Sequence, residues 1–354
     1  MAKIIYGVSG EGSGHSSRAK LIAQHLIKQG HELKLASYDR GYKNLCDSFD
    51  VLEIVGLSIA STDNKVSMLK TLTENMAKIP NGTRAIKQLR ELIKTFQPDC
   101  ILTDFEPCTA YLANHYNIPL ISIDNQHRMR YMHYDCPSEY KKEAFLTETI
   151  IRTMVPKPWY SLITTFHFGE LKNNHCLAAP ALIRPRVIDL EVSTADHIIV
   201  YVTSGFDSLL AILKQFSRET FYIYGYNENR QEDNLHFRPF SQDGFLHDLA
   251  SSKAVIATAG FTLISEALYL HKPFLAFPMQ GQFEQHLNAY MLNKQGLGKQ
   301  CLSPNYDEIA AFLYQLPEFA TALVQYSSCG NELITAKLDE LLANDMQQLL
   351  TFKR

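Results

Sequence analysis

The sequence predicts two α/β domains in tandem. Short apolar runs alternate with amphipathic runs of helical period, the alternation lapses in a proline-bearing stretch, and the same rhythm then restarts. Strands alternating with helices pack as parallel sheets joined by right-handed crossovers. At 354 residues the chain is long enough for two cores.

In order along the chain, "KIIYGV" is a first strand and "SSRAKLIAQHLIKQG" a helix ended by Gly30. "HELKLAS" alternates with period two, as a strand does. A helical region from Met68 to Phe96 leads into "PDCILTDF", a buried strand whose polar residues gather at its C-terminal end. "CTAYLANHYNI" reads as a helix, "PLISIDNQ" as a strand, and "KPWYSLITTFHF" as one strand more. "AAPALIRPRVIDLEVSTADH" has little periodicity and holds the linker, residues 184–195, after a first domain of residues 1–183. In the second domain, 196–330, "HIIVYVTSG", "TFYIYG", "KAVIATAG" and "KPFLAFPM" are strands, with "DSLLAILKQF", "FTLISEALYLH" and "QFEQHLNAYMLNKQG" as helices. The tail, 331–354, is helical and is expected to pack back on the first domain.

Composition narrows the partners. Hydrophobic residues make up 46% and charged residues 20%, an ordinary globular balance. A formal charge of −3 predicts no binding to nucleic acid. The seven cysteines are odd in number, scattered and without a C-x-x-C pair, which reads as reduced thiols in a cytoplasmic protein. No leader is expected, and no run nears the roughly 18 apolar residues of a membrane span.

Ligands of open parallel sheets bind beyond the carboxyl ends of the strands. His15, Asp104, Asp124, Ser204 and Gly260 close their strands and are expected to face one cleft between the domains. The opening loop, "GVSGEGSGHSSRA", has two readings. Gly12-x-Gly14-x-x-Ser17 approximates a dinucleotide fingerprint, with Asp39 closing the second strand. Alternatively, the glycines make a tight turn that presents His15 at a helix N-terminus, where the dipole favours neutral imidazole. A neutral imidazole is a competent base for a hydroxyl, and Asp104 is the carboxylate to orient it.

The run Thr258–Ala289 is more specific. Its strand ends in Ala-Gly and a helix begins near Thr262, offering backbone N–H groups to a diphosphate. Glu266 shares a face with Thr262 and can accept both hydroxyls of a ribose. Gln282, Glu284 and Gln285, with Asn288 one turn on, suit sugar hydroxyls. No Asp-x-Asp motif suited to a divalent metal is present, so no metal and no cofactor beyond a nucleotide-sugar co-substrate is expected.

Together these residues resemble the GT-B glycosyltransferases, in the branch of the UDP-glycosyltransferases and the peptidoglycan N-acetylglucosaminyltransferase. Gly14-His15 matches their N-terminal G-H motif, "ILTDF" the strand of the paired aspartate, and "VYVTSG" the opening of their donor domain. The stretch from "HFRPF" to "EQHLNA" matches their nucleotide-sugar signature, and "GEGSGHSSRA" resembles a prokaryotic subgroup. The resemblance implies two Rossmann-like domains and an inverting, metal-independent transfer of a sugar, from a UDP-sugar first of all, to an acceptor hydroxyl in cell-envelope or surface glycan synthesis. It implies His15 as base, Phe237 to Phe240 at the nucleotide base, and Ser204 and Gly205 near the leaving group. It further places Thr258, Gly260, Phe261 and Thr262 at the diphosphate, Glu266 on the ribose, and Gln282, Glu284 and Gln285 at the donor sugar. Thr258-Ala-Gly-Phe-Thr-Leu stands where plant enzymes have His-Cys-Gly-Trp-Asn-Ser, so hydroxyls replace a histidine and an asparagine.

The acceptor side is expected at Gly12, Ser13 and Gly14 and along "SIDNQHRMRYMHYD", with Asp124, His127 and Arg128. That run reads either as a sugar- or phosphate-holding segment or as an exposed polar loop, and His127 is the second candidate base. "RTMVPKPWYSL" reads either as a buried strand or as a peripheral contact with lipid. A nucleotide-sugar hydrolase or 2-epimerase of the same fold, a dinucleotide oxidoreductase and a non-catalytic nucleotide-sugar binder are the alternatives.

Overall fold

A computed structural model describes residues 1–56, 61–62, 65–66, 84–202, 206–326 and 329–353. Two units divide the chain. One is Met1–Thr62, Val66–Arg184 and Cys329–Arg354, and the other is essentially Pro185–Ser328. Each is a seven-stranded sheet with helices.

In the first unit β1 (Lys3–Val8), α1 (Ser13–Lys28), β2 (Glu32–Ser37), α2 (Asp39–Leu45) and β3 (Val51–Glu53) come first. The two-residue strands β4 (Ser61–Thr62) and β5 (Lys65–Val66) pair with each other; of the helical region expected from Met68 to Phe96, residues 84–96 are helical (α3) and 68–83 lie outside the described residues. β6 (Cys100–Asp104), α4 (Pro107–Tyr116), β7 (Leu120–Asp124), α5 (His127–Tyr131), α6 (Lys141–Met154), β8 (Tyr160–Thr164) and β9 (Cys176–Ala179) complete it. The sheet runs β3-β2-β1-β6-β7-β8-β9, parallel throughout. A parallel sheet is covered on both faces, which is why its strands are continuously apolar. Ile4, Tyr6 and Val8 enter one core, and Ile5 enters the other.

The second unit contains α7 (Pro185–Ile188), β10 (His197–Tyr201), α8 (Asp207–Leu213), β11 (Thr220–Tyr224), β12 (Arg230–Glu232), β13 (Leu235–Phe237) and α9 (Gln242–Ser251). β14 (Ala254–Thr258), α10 (Phe261–Tyr269), β15 (Phe274–Phe277), α11 (Phe283–Lys294), β16 (Gly298–Gln300), α12 (Tyr306–Tyr314) and α13 (Leu316–Val324) follow. Its order is β12-β13-β11-β10-β14-β15-β16, with only β12 antiparallel among the described strands. Both sheets are therefore Rossmann-like, and their order reverses between β1 and β6 and between β10 and β14.

Residues 185–195 pack on the second unit rather than hanging free. Ser193 N–H donates to Ala250 O at 3.1 Å, Ala195 N–H to Ser251 O at 2.7 Å, and Lys272 Nζ to Ser193 O at 2.5 Å. The tail forms α14 (Asn331–Leu342) and α15 (Gln347–Leu350), whose Ile334, Leu338, Leu341 and Leu349 fill the first unit's core. Asp339 on α14 also meets His25 Nε2 of α1 at 2.8 Å.

Two surface readings are overturned here. Trp159 and Tyr160 are buried at the start of β8, so "RTMVPKPWYSL" spends its aromatics on the core and offers none to lipid. Residues 124–129 are buried throughout, so the run after β7 is no exposed loop, and Asp124 within it holds His127.

Candidate active site

In the first unit the crevice where the strand order reverses lies at the carboxyl ends of β1 and β6, with Val8 in register opposite Asp104. The loop leaving β1 is tied there, because Ser9 N–H donates to Asp104 O at 3.0 Å. Gly12 caps α1 with φ 75°, in the left-handed region where a side chain would be strained. Ser13 is exposed and Gly14 half-buried in the first turn of α1, and His15 follows them. Arg18 lies one turn on, at i+3, on the same face.

Asp104 gathers both side chains. His15 Nδ1 stands 2.6 Å from Oδ1, while Arg18 donates from Nη2 to Oδ1 at 2.5 Å and from Nε to Oδ2 at 2.8 Å. Asp104 is fully buried, Arg18 nearly so, and the His15 side chain keeps 13% of its surface. An ionised carboxylate only accepts hydrogen bonds, so His15 must donate from Nδ1, which leaves its lone pair on Nε2. The 3.2 Å approach of Arg18 Nη2 to that Nδ1 is then a contact between donors. Burial alone would push the Arg18 guanidinium down. The charge and hydrogen bonds of Asp104 outweigh it and hold Arg18 above its ordinary value, so the cation is permanent. Tyr6 on β1 is buried beneath the pair, and burial, reinforced by Asp104, keeps its phenol neutral.

A second histidine–carboxylate pair closes β7. Asp124 accepts His127 N–H at 2.8 Å and meets His127 Nδ1 at 2.7 Å. Burial pushes Asp124 up, but His127 and then Arg18 overcome it and hold the carboxyl below its usual range. His127 is fully buried and stacked on Tyr131, with rings 5.5 Å apart, so as it stands it reaches no solvent-borne hydroxyl. Arg128 is buried as well, 5.9 Å from the Phe166 ring. Between the two pairs, Glu106 caps α4, accepting from Cys108 N–H at 2.9 Å and Thr109 N–H at 2.7 Å.

In the second unit the corresponding reversal lies between β10 and β14. Ser204 and Gly205, expected after β10, lie outside the described residues. Thr258 ends β14, Gly260 caps α10, and Phe261 rather than Thr262 is the first helical residue. No side chain caps this helix and no acidic residue occupies its first turn. A Cβ built on Gly260 meets no described atom within 4 Å. Thr258 and Thr262 are half-buried and Glu266 is almost fully buried on the Thr262 face. Asn288, missed as a scaffold residue, is fully buried and donates from Nδ2 to Ala259 O at 2.8 Å, which fixes the turn.

At the start of α11, Gln285 donates from Nε2 to Gln282 Oε1 at 2.6 Å and accepts Met279 N–H at 3.1 Å, while Glu284 is half-buried beside them. Both glutamines therefore shape the loop after β15. Phe237 requires a correction. It is 2% exposed in the core, with Arg230 3.6 Å above its ring, so it has no free face for a base. Phe240, 62% exposed, is the accessible aromatic of that run.

The sequence marks Arg18 beside His15 at the loop–helix join without a role and gives no sign of Glu106; the i+3 spacing from His15 was the available signal for the first. Among the described residues, no three or more His, Cys, Asp and Glu side chains gather as metal ligands, and no helix is long and apolar enough to cross a membrane.

Comparison with known proteins adds an independent line. The family described as glycosyl transferase family 1 matches residues 2–317. An uncharacterised glycosyltransferase of Methanosarcina mazei is 25% identical over 333 residues, covering 84% of this chain and 85% of its own. One from Methanosarcina acetivorans is 24% identical with the same coverage. Among solved structures, the calicheamicin glycosyltransferase CalG4 superposes with a TM-score of 0.68 at 12% identity, covering 97% of this chain and 99% of its own. The spinosyn rhamnosyltransferase SpnG, solved with thymidine diphosphate, gives 0.64 at 14% identity, covering 96% and 100%. These structures share the GT-B fold with this chain.

Proposed function

Because the chain belongs to glycosyl transferase family 1 and is accordingly a glycosyltransferase, we propose that it transfers a sugar with inversion from a nucleoside-diphosphate donor to an acceptor hydroxyl, with His15 as general base. The observation that carries this reading is the His15–Asp104 contact of 2.6 Å at the strand-order reversal. Nε2 takes the proton of the acceptor hydroxyl as its oxygen attacks the anomeric carbon. The donor's C–O bond to the diphosphate breaks on the opposite face, and the imidazolium that forms is met by Asp104.

The donor half belongs to the second unit. The uncapped start of α10 offers N–H groups and a favourable dipole to the leaving diphosphate, with Thr258 and Thr262 as hydroxyl donors and no metal required. Glu266 takes the ribose, and Gln282, Glu284 and Gln285 border the donor sugar. The base is a pyrimidine, uridine before thymidine; the thymidine diphosphate of SpnG supports that class. Phe240 replaces Phe237 as the aromatic offered to it. Gly12, Ser13 and Gly14 line the acceptor approach, while Asp124, His127 and Arg128 support its floor. Cell-envelope glycan or glycolipid synthesis in the cytoplasm is the proposed setting.

A thermal-shift screen over nucleoside diphosphates, followed by turnover of the matching sugar donors with an acceptor panel, tests the reading. The expected product carries the anomeric configuration opposite to the donor's, read by NMR coupling. Retained configuration would overturn the single displacement, and free sugar as the sole product with every acceptor would replace transfer by hydrolysis.

A further inference from the structure

Arg18 has no part in the reaction just described, yet it makes two of the three side-chain hydrogen bonds on Asp104. We propose that Arg18 is a positioning residue that sets how His15 handles its proton: its fork holds the carboxylate in one orientation and its charge resists protonation of the imidazole. The inference rests on the reading of His15 as base.

The geometry gives two separable effects. A bidentate guanidinium fixes both oxygens of a carboxylate in a plane, as a point cation on a flexible stem cannot. With Oδ2 bound to Nε and Oδ1 shared with Nη2, Oδ1 is held where His15 Nδ1–H reaches it. This keeps the imidazole in the Nδ1–H tautomer and aims Nε2 outward. The second effect is electrostatic. A fixed cation against the carboxylate cancels part of the field that would draw a proton onto His15.

The groups around the pair are Tyr6 on β1, Arg18 on α1, Asp104 on β6, and Asp124 with His127 beyond them on β7 and α5. Tyr6 is neutral through burial. Arg18 also acts on Asp124. It is thus the permanent cation facing two buried carboxylates, and its neutralisation leaves both to be answered by the histidines.

The test uses the full chain labelled with 15N-histidine, with the His15 resonances identified by their loss in His15→Ala. In the native protein, long-range 15N–1H spectra are expected to show His15 protonated at Nδ1. In Arg18→Met the His15 titration midpoint is expected about one pH unit higher. An unmoved or lower midpoint would overturn the proposal, and since lost packing also changes how water reaches the imidazole, the charge-keeping Arg18→Lys separates the two causes. Arg18→Lys keeps the charge without the fork, and decides the matter if Arg18→Met does not fold. Its midpoint is expected to stay within about 0.3 unit of native, with the Nδ1–H form mixed with Nε2–H. A midpoint shifted upward, or an unmixed tautomer, would contradict it. Turnover separates the underlying reading: full activity in His15→Ala removes the base, whatever the spectra report about Arg18.

Discussion

The two units place a helix N-terminus at the same point of the same topology and furnish it in opposite ways. At the start of α1 the first turns carry His15 and Arg18, both bound to a buried carboxylate from the neighbouring strand. At the start of α10 the first turn carries Phe261, Thr262 and Leu263, with no acidic residue and no capping side chain, and Glu266 stands where α1 has Arg18. A Rossmann-like crevice is therefore a position, and the side chains decide its use. On the proposed reading, the helix end occupied by an ion cluster moves a proton, and the one that no side chain caps receives an anion.

Breaking the charged member should have the larger effect. Asp104→Asn removes the acceptor that holds the His15 tautomer, and transfer is expected to fall by about 10³- to 10⁴-fold. The same change leaves Arg18 buried without its counter-charge, at a cost of about 3–5 kcal/mol that a denaturant titration would read. Near-native turnover in a folded Asp104→Asn protein would sever Asp104 from the chemistry.

The bare member should respond in affinity rather than rate. Gly260 has φ −70° and ψ 133°, which valine tolerates, and its Cβ direction is empty. Gly260→Val is therefore expected to leave the melting temperature unchanged and weaken UDP binding at least tenfold by calorimetry. Unchanged affinity would place the diphosphate elsewhere.

The smallest effect lies at the opposite end of the second unit's sheet. Lys272 is 2% exposed just before β15, and burial pushes its ammonium from 10.5 down to about 8. Between these values the unfolded chain keeps a proton that the folded one has lost, so this group adds stability as pH rises from about 8 to 10.5. The stability difference between native protein and Lys272→Met should therefore drift in favour of native across that window, and a flat difference would refute the shift.

Much of this contrast was legible in the sequence. Strand ends in an α/β pattern locate the crevices, so His15, Asp104 and Gly260 could be named from periodicity and glycine placement. The three-residue strands β3, β12, β13 and β16 were passed over because so few residues cannot display a period. Phe237 was misplaced because a motif fixes order along the chain, whereas the face a strand residue presents depends on its register, and β13 turns that ring into the core. The run 124–129 left a sugar- or phosphate-holding segment and an exposed polar loop both open, because its residues are polar. In the fold Asp124 accepts from His127 N–H and meets its Nδ1, and both residues are buried, with His127 Nε2 left without a hydrogen bond among the described residues. Arg18 stood out at the end of the glycine loop but received no role, because a lone arginine on a helix ordinarily points to solvent and only the contact with a buried aspartate gives it one.

The central claim is that the proton of the acceptor leaves through His15 while the donor is held by the other unit. Its most direct measurement pairs calorimetric UDP binding with sugar transfer in His15→Ala. The expected result is UDP affinity within twofold of native together with transfer reduced by at least about 10³-fold. Transfer within tenfold of native in the same protein would contradict it.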